Sequence, residues 1–427
     1  MQVYLVGGAV RDALLGLPVK ERDWVVVGST RDELLRLKYR EVGRDFPVFL
    51  HPDSHEEYAL ARRERKTSPG YRGFAVEFGP EVTLEQDLAR RDLTINAIAQ
   101  AGDGSFIDPF GGRRDLQARV LRHVSPAFVE DPVRILRLAR FAARFAPLGF
   151  QVAPETMALM RQMVEQGEVD ALVAERVWQE TEKALRESGA SVFFQVLRDC
   201  GALKIVFPEI NALFGVPQPE KWHPEIDTGV HTLMVLDQAV RLSADTRVRF
   251  AALVHDLGKG TTPHKEWPGH KGHEERSVAL IESLCDRLKP PSEYRELSVI
   301  VARYHGNVHR AFELRANTIL GILEKTDAFR RPARFAQALL ACEADSRGRL
   351  GLEENPYPQR QYLQAARDAA ATIKPTPEDI ADQVGPLIAE RIHQRRLRAI
   401  TELTSRVQPL ASPVQPLASP VQPRKDV

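Results

Sequence analysis

The chain is poor in the features that crosslink a protein or anchor it in a membrane. Its 427 residues include only three cysteines, Cys200, Cys285 and Cys342, which lie far apart and have neither metal-ligand nor disulfide spacing. We expect them to be buried thiols in a reducing compartment. No apolar run approaches the length that crosses a bilayer, and Met1 leads directly into a strand rather than into a signal peptide. The composition therefore predicts a cytoplasmic protein without a membrane segment.

An excess of charge of one sign is also missing. The 59 basic and 58 acidic residues give a net charge of +1, which argues against a uniformly basic nucleic-acid binder but leaves room for local patches. Residues 62–73, which include Tyr71, and residues 391–398 are two basic stretches. Either could follow a phosphate backbone, although most runs of this kind are only a solvated surface.

Hydrophobic periodicity divides the chain into unlike parts. Short β-rich runs separated by turns predict a mixed α/β head up to residue 124, and apolar residues that recur every three or four positions predict helices from Ser125 onward. The heptapeptide Val-Gln-Pro-Leu-Ala-Ser-Pro occurs twice after residue 406, and its prolines predict a disordered tail. The predicted segments are 1–124, 125–224, 225–350, 351–405 and 406–427.

The first chemical signal lies at the start of the head. A short strand, 3–6, runs into Gly7 and Gly8, where the backbone can approach a phosphate and the following helix points its positive end. Glu21 and Asp23 stand two residues apart at the beginning of a second strand, so both can project from one face and hold a divalent cation. The alternative is a plain tight turn followed by solvated charges.

A metal at Glu21 and Asp23 would orient the α-phosphate of a nucleotide and neutralise charge on the leaving pyrophosphate. A third acidic group from a neighbouring strand often completes such a site, and Glu57 is the candidate. Arg11, on the helix after the glycines, is placed to meet a triphosphate. The pattern predicts metal-dependent nucleotidyl transfer.

The second signal is the pair Asp131 and Arg134, three residues apart, beside Pro132 at an expected helix start. A carboxylate accepts from an exocyclic amine and a guanidinium donates to ring nitrogens and carbonyls, so the pair would accept cytosine and adenine and reject uracil and guanine. Arg137 and Arg140 continue the row as a slanted ridge that turns by about 60° per step. The alternatives are a surface ion pair with a cap, and a basic stripe beside an apolar face.

The motifs GGAVRD, E-x-D, RRDLTINA, DPFGG and EDPVRILRLARF, in this order, resemble those of the class II tRNA nucleotidyltransferases, the CCA-adding enzymes, whose head is of the polymerase-beta type. The resemblance covers the first 200 residues and implies addition of C, C and A to tRNA from CTP and ATP. It implies that Mg²⁺ is bound by Glu21 and Asp23, where many members have Asp at the first position. It also implies a nucleotide pocket formed by Gly8, Arg11, Arg91, Asp131, Arg134, Arg137 and Arg140.

Histidines concentrate in the third segment. Eight of the twelve lie between residues 223 and 309, a clustering that suits a transition-metal site able to activate water. The spacing of a His-Asp doublet between an upstream His and a downstream Asp resembles the HD phosphohydrolase superfamily, which implies a divalent metal and phosphoester hydrolysis. The residues that carry this resemblance are His231, His255, Asp256 and Asp345. His305 and His309, four residues apart, are either second-metal ligands or ordinary surface histidines.

A nucleotidyltransferase head followed by an HD block resembles the multifunctional CCA proteins of certain bacteria. The fold implied is α+β: a head with a small mixed sheet, an all-α neck and body at 125–224, an all-α HD domain at 225–350 and a helical region at 351–405. The accessory activities implied are 2′,3′-cyclic phosphodiesterase, 2′-nucleotidase and phosphatase, with Ni²⁺ or another divalent transition metal. We expect a monomer or homodimer with tRNA, CTP and ATP as partners.

Two rival interpretations remain at this point. A poly(A) polymerase shares the head, but its relatives are not expected to carry an HD block and usually end in a strongly basic extension. An RNA-binding HD hydrolase with a degenerate head is the other rival. The intact Gly8, Arg11, Glu21 and Asp23 argue against it.

Overall fold

The computed structural model describes residues 1–42, 48–66, 74–377 and 385–407. The tail from residue 408 onward, and the part of the first basic stretch at 67–73, lie outside the described residues. A small sheet occupies the first part of the chain and helices dominate the rest, which confirms the α+β class. The expectation of an all-α neck is wrong at residues 151–152, which form a short strand because they pair with residues 120–121 of the head. No helix in these ranges combines the length and the hydropathy that crossing a bilayer requires.

The described strands are short and are numbered here in chain order. They are β1 (Gln2–Val6), β2 (Asp23–Val27), β3 (Arg40–Glu41), β4 (Val48–Leu50), β5 (Glu57–Leu60), β6 (Arg62–Lys66), β7 (Phe74–Phe78), β8 (Ala99–Ala101), β9 (Phe106–Ile107), β10 (Val120–Leu121) and β11 (Gln151–Val152). Seven of them form one sheet in the order β3-β4-β5-β2-β1-β8-β9, in which β2 and β5 are parallel and the other neighbours antiparallel.

Helices begin in the head and dominate after it. They are α1 (Gly8–Leu14), α2 (Arg31–Arg36), α3 (Leu84–Ala89), α4 (Gly112–Ala118), α5 (Val133–Phe145), α6 (Pro154–Glu165), α7 (Ala174–Arg186), α8 (Ala190–Asp199), α9 (Leu203–Val206), α10 (Pro208–Asn211), α11 (Thr228–Leu242), α12 (Thr246–Val254), α13 (His273–Leu288), α14 (Ser292–His309), α15 (Ala316–Lys325), α16 (Pro332–Arg347), α17 (Pro358–Ala371) and α18 (Gly385–Val407). The second basic stretch, 391–398, lies in α18.

The head sheet is apolar on both faces. Along β2, Val25 packs with Leu88 of α3 on one side, while Val26 packs with Leu34 of α2 on the other. Successive side chains of a strand point to opposite faces, so a strand covered on both sides is a continuous apolar run rather than an alternating one. This burial fixes the register of β2 and therefore the position of Asp23 at its start.

One continuous hydrophobic core joins the head to the helices that follow. It includes Ile95 of the head, Leu138 of α5, Phe194 of α8 and Leu284 of α13. A second core, which includes Val235 of α11, lies among α11, α12 and the helices α14 to α18. Helix α5 is buried along most of its length because it packs between the head and the rest of the chain.

The DPFGG motif packs closely against the TINA end of the RRDLTINA motif. Asp108 accepts hydrogen bonds from the backbone N–H groups of Gly112 and Arg113 at 2.7 and 2.9 Å and so fixes the start of α4. A Cβ at Gly112 would lie 2.2 Å from the carbonyl oxygen of Thr94. Only a residue without a side chain permits this approach of two backbones.

We expect Gly112→Ala to lower the free energy of unfolding by about 1–3 kcal/mol, because the new methyl group meets backbone that cannot move aside. Gly102→Ala is the matched control, since a Cβ built there meets nothing within 4 Å. Urea unfolding of the full-length chain measures both. Equal unfolding midpoints for the two variants would contradict the close backbone contact.

Candidate active sites

The head site is built by the pairing of its two central strands with a third. Asp23 lies opposite Val6, the last residue before the double glycine, and beside Glu57 of the parallel strand β5. Directly paired residues project from the same face of a sheet, so the carboxylates of Asp23 and Glu57 share one face. The next pair, Trp24 and Tyr58, stacks on the other face with ring centroids 5.6 Å apart.

The charge of Glu21 reaches Asp23. Partial desolvation of the Asp23 carboxylate raises its pKa, Arg91 opposes this increase, and Glu21 adds to it. A carboxylate whose pKa is raised by a neighbouring negative charge favours a bound cation. The three candidate metal ligands of the head, Glu21, Asp23 and Glu57, are exposed, and in the described residues they do not form a tight triad of ligand atoms.

The guanidinium of an arginine packs against the double-glycine turn. Gly7 has a φ of 69°, and a Cβ there would lie 2.9 Å from Nη1 of Arg91. Arg91 is held by Asp87, to which its Nη2 donates at 3.1 Å, and by the carbonyl of Asn96. Its Nε is buried without a hydrogen-bond partner. A guanidinium therefore lies beside the turn and within the field of Asp23, where an anionic phosphate is favoured.

Arg11 lies at the junction between the head and α5 and is only 3 % exposed. Its Nη1 donates to the side chain of Asn96 at 2.6 Å, its Nε donates to Asp12, and its guanidinium lies over the rings of Phe141 and Phe145. Burial lowers its pKa, an effect that Asp12 opposes. The expected contact of Arg11 with a triphosphate stays a prediction.

The Asp131–Arg134 pair flanks the start of α5. Asp131 accepts from the backbone N–H of Val133 at 3.0 Å, as a capping residue does, and forms a two-point ion pair with Arg176 of α7 at 3.2 and 2.8 Å. Arg134 is buried and donates to the carbonyls of Ala127 and Arg90. The sequence analysis did not predict the ion pair of Arg176 with Asp131, because no local pattern in the sequence connects α7 with the start of α5.

The arginine ridge of α5 meets acidic groups from other elements. Arg137 donates to Asp92 at 2.8 Å and Arg140 donates to Glu180 of α7 at 2.6 Å. Desolvation of Asp92 is outweighed by Arg137 and by hydrogen bonds, so its pKa falls to about 2. The ridge is therefore a charge-compensated junction between the head and the neck as well as a candidate nucleotide-binding surface.

The second site lies in the HD block. His231 on α11, His255 and Asp256 at the end of α12, and Asp345 on α16 converge there and are all nearly or fully buried. His231 Nε2 is 3.0 Å from Asp345 Oδ1, and His255 Nε2 is 3.2 Å from Asp256 Oδ2 and 3.5 Å from Asp345 Oδ2. The structure thus brings together all four residues that the HD resemblance implies.

Backbone carbonyls define the tautomers of three of these imidazoles. The Nδ1 atoms of His255, His273 and His305 lie 2.7–3.0 Å from the carbonyls of Ala252, His270 and Ala302, each three residues earlier. A carbonyl accepts only from N–H, so each Nδ1 carries a proton, and in the neutral ring, which is the form that binds a metal, Nε2 presents its lone pair. The Nε2 atoms face the carboxylates of the site.

The donors of the second site fit a cation. His255 Nε2 and Asp256 Oδ1 are buried and have no partner in hydrogen-bond geometry. Burial lowers the pKa of His255, but Asp256 and Asp345 outweigh it and raise the pKa to about 10, which shows how strongly this point favours positive charge. Imidazole nitrogens and carboxylate oxygens are ligands of divalent transition metals.

Three further residues belong to this cluster. His273 Nε2 is 3.2 Å from His305 Nε2 and 3.2 Å from Asp256 Oδ1, and His309 Nε2 is 2.6 Å from Asp345 Oδ2. Sequence reasoning considered His305 and His309 but assigned no role to His273. Within the described ranges, the triads of possible ligand atoms that lie within 4.8 Å of one another all fall between His223 and Asp345.

Three family models match consecutive parts of the chain. The poly A polymerase head domain matches residues 3–122, the "Probable RNA and SrmB- binding site of polymerase A" matches residues 149–214, and the HD domain matches residues 228–347. The polymerase and HD families both imply dependence on a divalent metal.

Full-length similarity points to one kind of protein. The multifunctional CCA protein of Thioalkalivibrio sulfidiphilus is 66% identical over 94% of this chain and 98% of its own length. A CCA-adding enzyme solved with ATP has a TM-score of 0.64 at 20% identity, covering 98% of this chain and 92% of that one. The Thermotoga maritima CCA-adding enzyme complexed with tRNA-CCA has a TM-score of 0.61 at 20% identity, covering 96% and 91%. The two solved structures support the fold.

We expect Asp92→Asn to lower the free energy of unfolding by about 2 kcal/mol at neutral pH, since the native pKa of Asp92 lies about two units below its ordinary value. A carboxylate with a depressed native pKa stabilises the fold above about pH 4 and loses that effect as pH falls toward 2. The difference in free energy of unfolding between wild type and variant, measured in urea, should therefore become smaller as the pH falls through this range.

Asp53→Asn, at an exposed position of the head, should leave stability unchanged at every pH. If the difference in free energy of unfolding between wild type and Asp92→Asn stays constant from pH 7 to pH 3, the ion pair with Arg137 is contradicted.

Proposed function

The chain belongs to the family of multifunctional CCA proteins, and from that premise we propose how its two sites divide the work. The head adds and repairs the 3′-terminal CCA of tRNA from CTP and ATP without a nucleic-acid template. The HD block carries the accessory phosphohydrolase activity. Identity of 66% along nearly the whole length of a relative with this combined name carries the proposal.

In the head, Glu21 and Asp23 would hold Mg²⁺, with Glu57 as a third carboxylate from the neighbouring strand. When bound, Mg²⁺ supplies charge neutralisation at the transferring phosphate and lowers the pKa of the ribose hydroxyl. The terminal ribose oxygen of the tRNA attacks the α-phosphorus, and pyrophosphate leaves. Arg91 beside Gly7 supplies positive charge to the triphosphate, and Gly8 allows close approach of its oxygens.

Asp131 and Arg134 would select the base. Cytosine and adenine both present an exocyclic amine beside an unprotonated ring nitrogen, which matches a carboxylate acceptor next to a guanidinium donor. In the structure the Asp131 carboxylate is already oriented by Val133 and Arg176. A base amine that takes the place of Arg176 would meet an acceptor that the backbone N–H of Val133 still orients. Arg137 and Arg140 extend this surface toward the rest of the nucleotide.

In the HD block, His231, His255, Asp256 and Asp345 would hold a divalent transition metal such as Ni²⁺. When bound, the metal supplies activation of water for attack on a phosphoester. Attack of water would break one P–O ester bond of a 2′,3′-cyclic phosphate, leaving a phosphomonoester and a free hydroxyl, or would release a terminal phosphate as inorganic phosphate. His273 and His305, which share Asp256 with the first set, are the candidates for a second metal position.

Each of the two rival interpretations leaves one finding unexplained. A poly(A) polymerase does not account for the HD domain at residues 228–347, although it shares the head model. A hydrolase with a degenerate head does not account for identity that extends through the head at this level. The cytoplasmic location and the choice between monomer and homodimer stay predictions.

Asp23→Asn should lower incorporation of CTP and ATP into a tRNA that lacks its CCA end by about a hundredfold or more, because one metal ligand loses its charge. The same preparation should keep its hydrolysis of 2′,3′-cyclic AMP, since the two sites share no residue. Asp53→Asn is the control for a charge lost elsewhere in the head. Undiminished incorporation by Asp23→Asn in the presence of Mg²⁺ would exclude the proposed metal site.

Asp131→Ala should still bind tRNA but lose its preference for C and A over U and G by about 10- to 100-fold, which corresponds to one unsatisfied buried polar group. Competition among the four nucleoside triphosphates for one trimmed tRNA measures the preference. Arg176→Met removes the same ion pair while leaving the proposed template, so it should retain selectivity. The template assignment fails if Asp131→Ala selects as the wild type does.

A further inference from the structure

We infer that Glu225 is a positioning residue for the HD site, acting through His231. Glu225 precedes the matched HD domain, which begins at residue 228, and lies in the segment that connects the neck to α11. The inference rests on the proposed function in one respect, namely that His231 Nε2 is a metal ligand. The carboxylate of Glu225 holds the opposite edge of the same imidazole.

The contacts place a buried carboxylate directly behind the ring. Glu225 Oε1 is 2.9 Å from His231 Nδ1, and the side chains of Glu225 and His231 are 2 % and 0 % exposed. His223 Nδ1 lies 3.1 Å from the same oxygen, and the backbone N–H of Leu350 donates to Oε2 at 3.3 Å. The carboxylate therefore lies between two imidazoles and a backbone N–H.

The segment that carries Glu225 is fastened to the HD block at several points. His270 Nε2 lies 2.8 Å from the carbonyl of Pro217, and Lys259 Nζ donates to Gln218 Oε1 at 2.5 Å. Asp227 caps the first turn of α11 by accepting from the N–H of Val230. These contacts determine the position of Glu225 relative to His231.

The two nitrogens of His231 face different groups. Nε2 faces Asp345 and the other proposed metal ligands of the HD site. Nδ1 faces Glu225 and the carbonyl of Gly348, which is 3.1 Å away. The Gly348 carbonyl accepts from Nδ1–H and fixes the tautomer, while the carboxylate beside it supports the ring and increases the basicity of Nε2. Since the Gly348 carbonyl can keep the tautomer alone, removing Glu225 tests the effect of its charge and its support of the ring.

A different use of the same residues has to be distinguished. His223, Glu225 and His231 offer three ligand atoms within 4.8 Å of one another, so a metal held by Glu225 itself is the competing assignment. His231 Nδ1 is already engaged with the Gly348 carbonyl, which favours a proton on this nitrogen over a metal.

The test is a calorimetric titration of Ni²⁺ into the full-length chain after removal of metal with a chelator. Glu225→Ala should weaken Ni²⁺ binding by about 10- to 100-fold, and Glu225→Gln, which keeps the shape but not the charge, should weaken it by about tenfold. Glu220→Ala and Glu220→Gln, at an exposed position of the same segment, should bind as the wild type does. His231→Ala defines the loss of the ligand itself.

Two further readouts separate positioning from folding. Incorporation of CTP by the head should be unchanged in every Glu225 variant, and metal-free Glu225→Gln should keep the far-UV circular dichroism spectrum of the wild type, so that its weaker Ni²⁺ binding is measured on folded protein. Normal Ni²⁺ affinity in Glu225→Gln would overturn the inference, because the charge would then be without effect. Loss of one bound Ni²⁺ in Glu225→Ala with normal affinity for the remainder would overturn it in favour of direct ligation. Normal affinity in His231→Ala would instead refute the proposed metal site.

Discussion

The structure depends on the pairing of the α5 arginines with acids from other elements. Arg137 bonds to Asp92 of the head, Arg140 bonds to Glu180 of the neck, and Arg144 bonds to Asp12 of the head at 2.8 Å. The three carboxylates are nearly buried, and a buried charge is stable only when it is paired, so each contact favours one arrangement of the two elements that it joins. The proposed nucleotide pocket therefore lies at a junction whose ion pairs form without substrate.

The sequence predicts the parts of the sites that are local in the chain. Gly7, Gly8 and Asp23 come together because two short strands joined by one helix and a loop pair with each other, and the apolar residues of β2 determine the register. The tautomers in the HD site are local as well, since the imidazoles of His255, His273 and His305 all face the carbonyl three residues earlier.

What the sequence does not predict is the choice of partner over long separations. Arg176 lies 45 residues from Asp131, and Arg137 lies 45 residues from Asp92. By charge alone, many acidic residues could form an ion pair with each arginine. Only the packing of α5 between two elements determines which of them does. Arg11 shows the same effect, because its motif indicates a phosphate contact whereas the packing of Phe141 and Phe145 buries its guanidinium.

The neck connects the two sites through packed side chains rather than through a linker. Trp178 of α7, two residues before Glu180, packs edge-on against Phe250 of α12 and Tyr294 of α14 with ring centroids 5.4 and 4.8 Å apart. The same helix thus contacts the arginine ridge on one side and the HD helices on the other. The two sites share no ligand residue but share this core. A substitution of a ligand residue should therefore affect the activity of one site only, whereas a substitution that disturbs the packing of α7 should affect both.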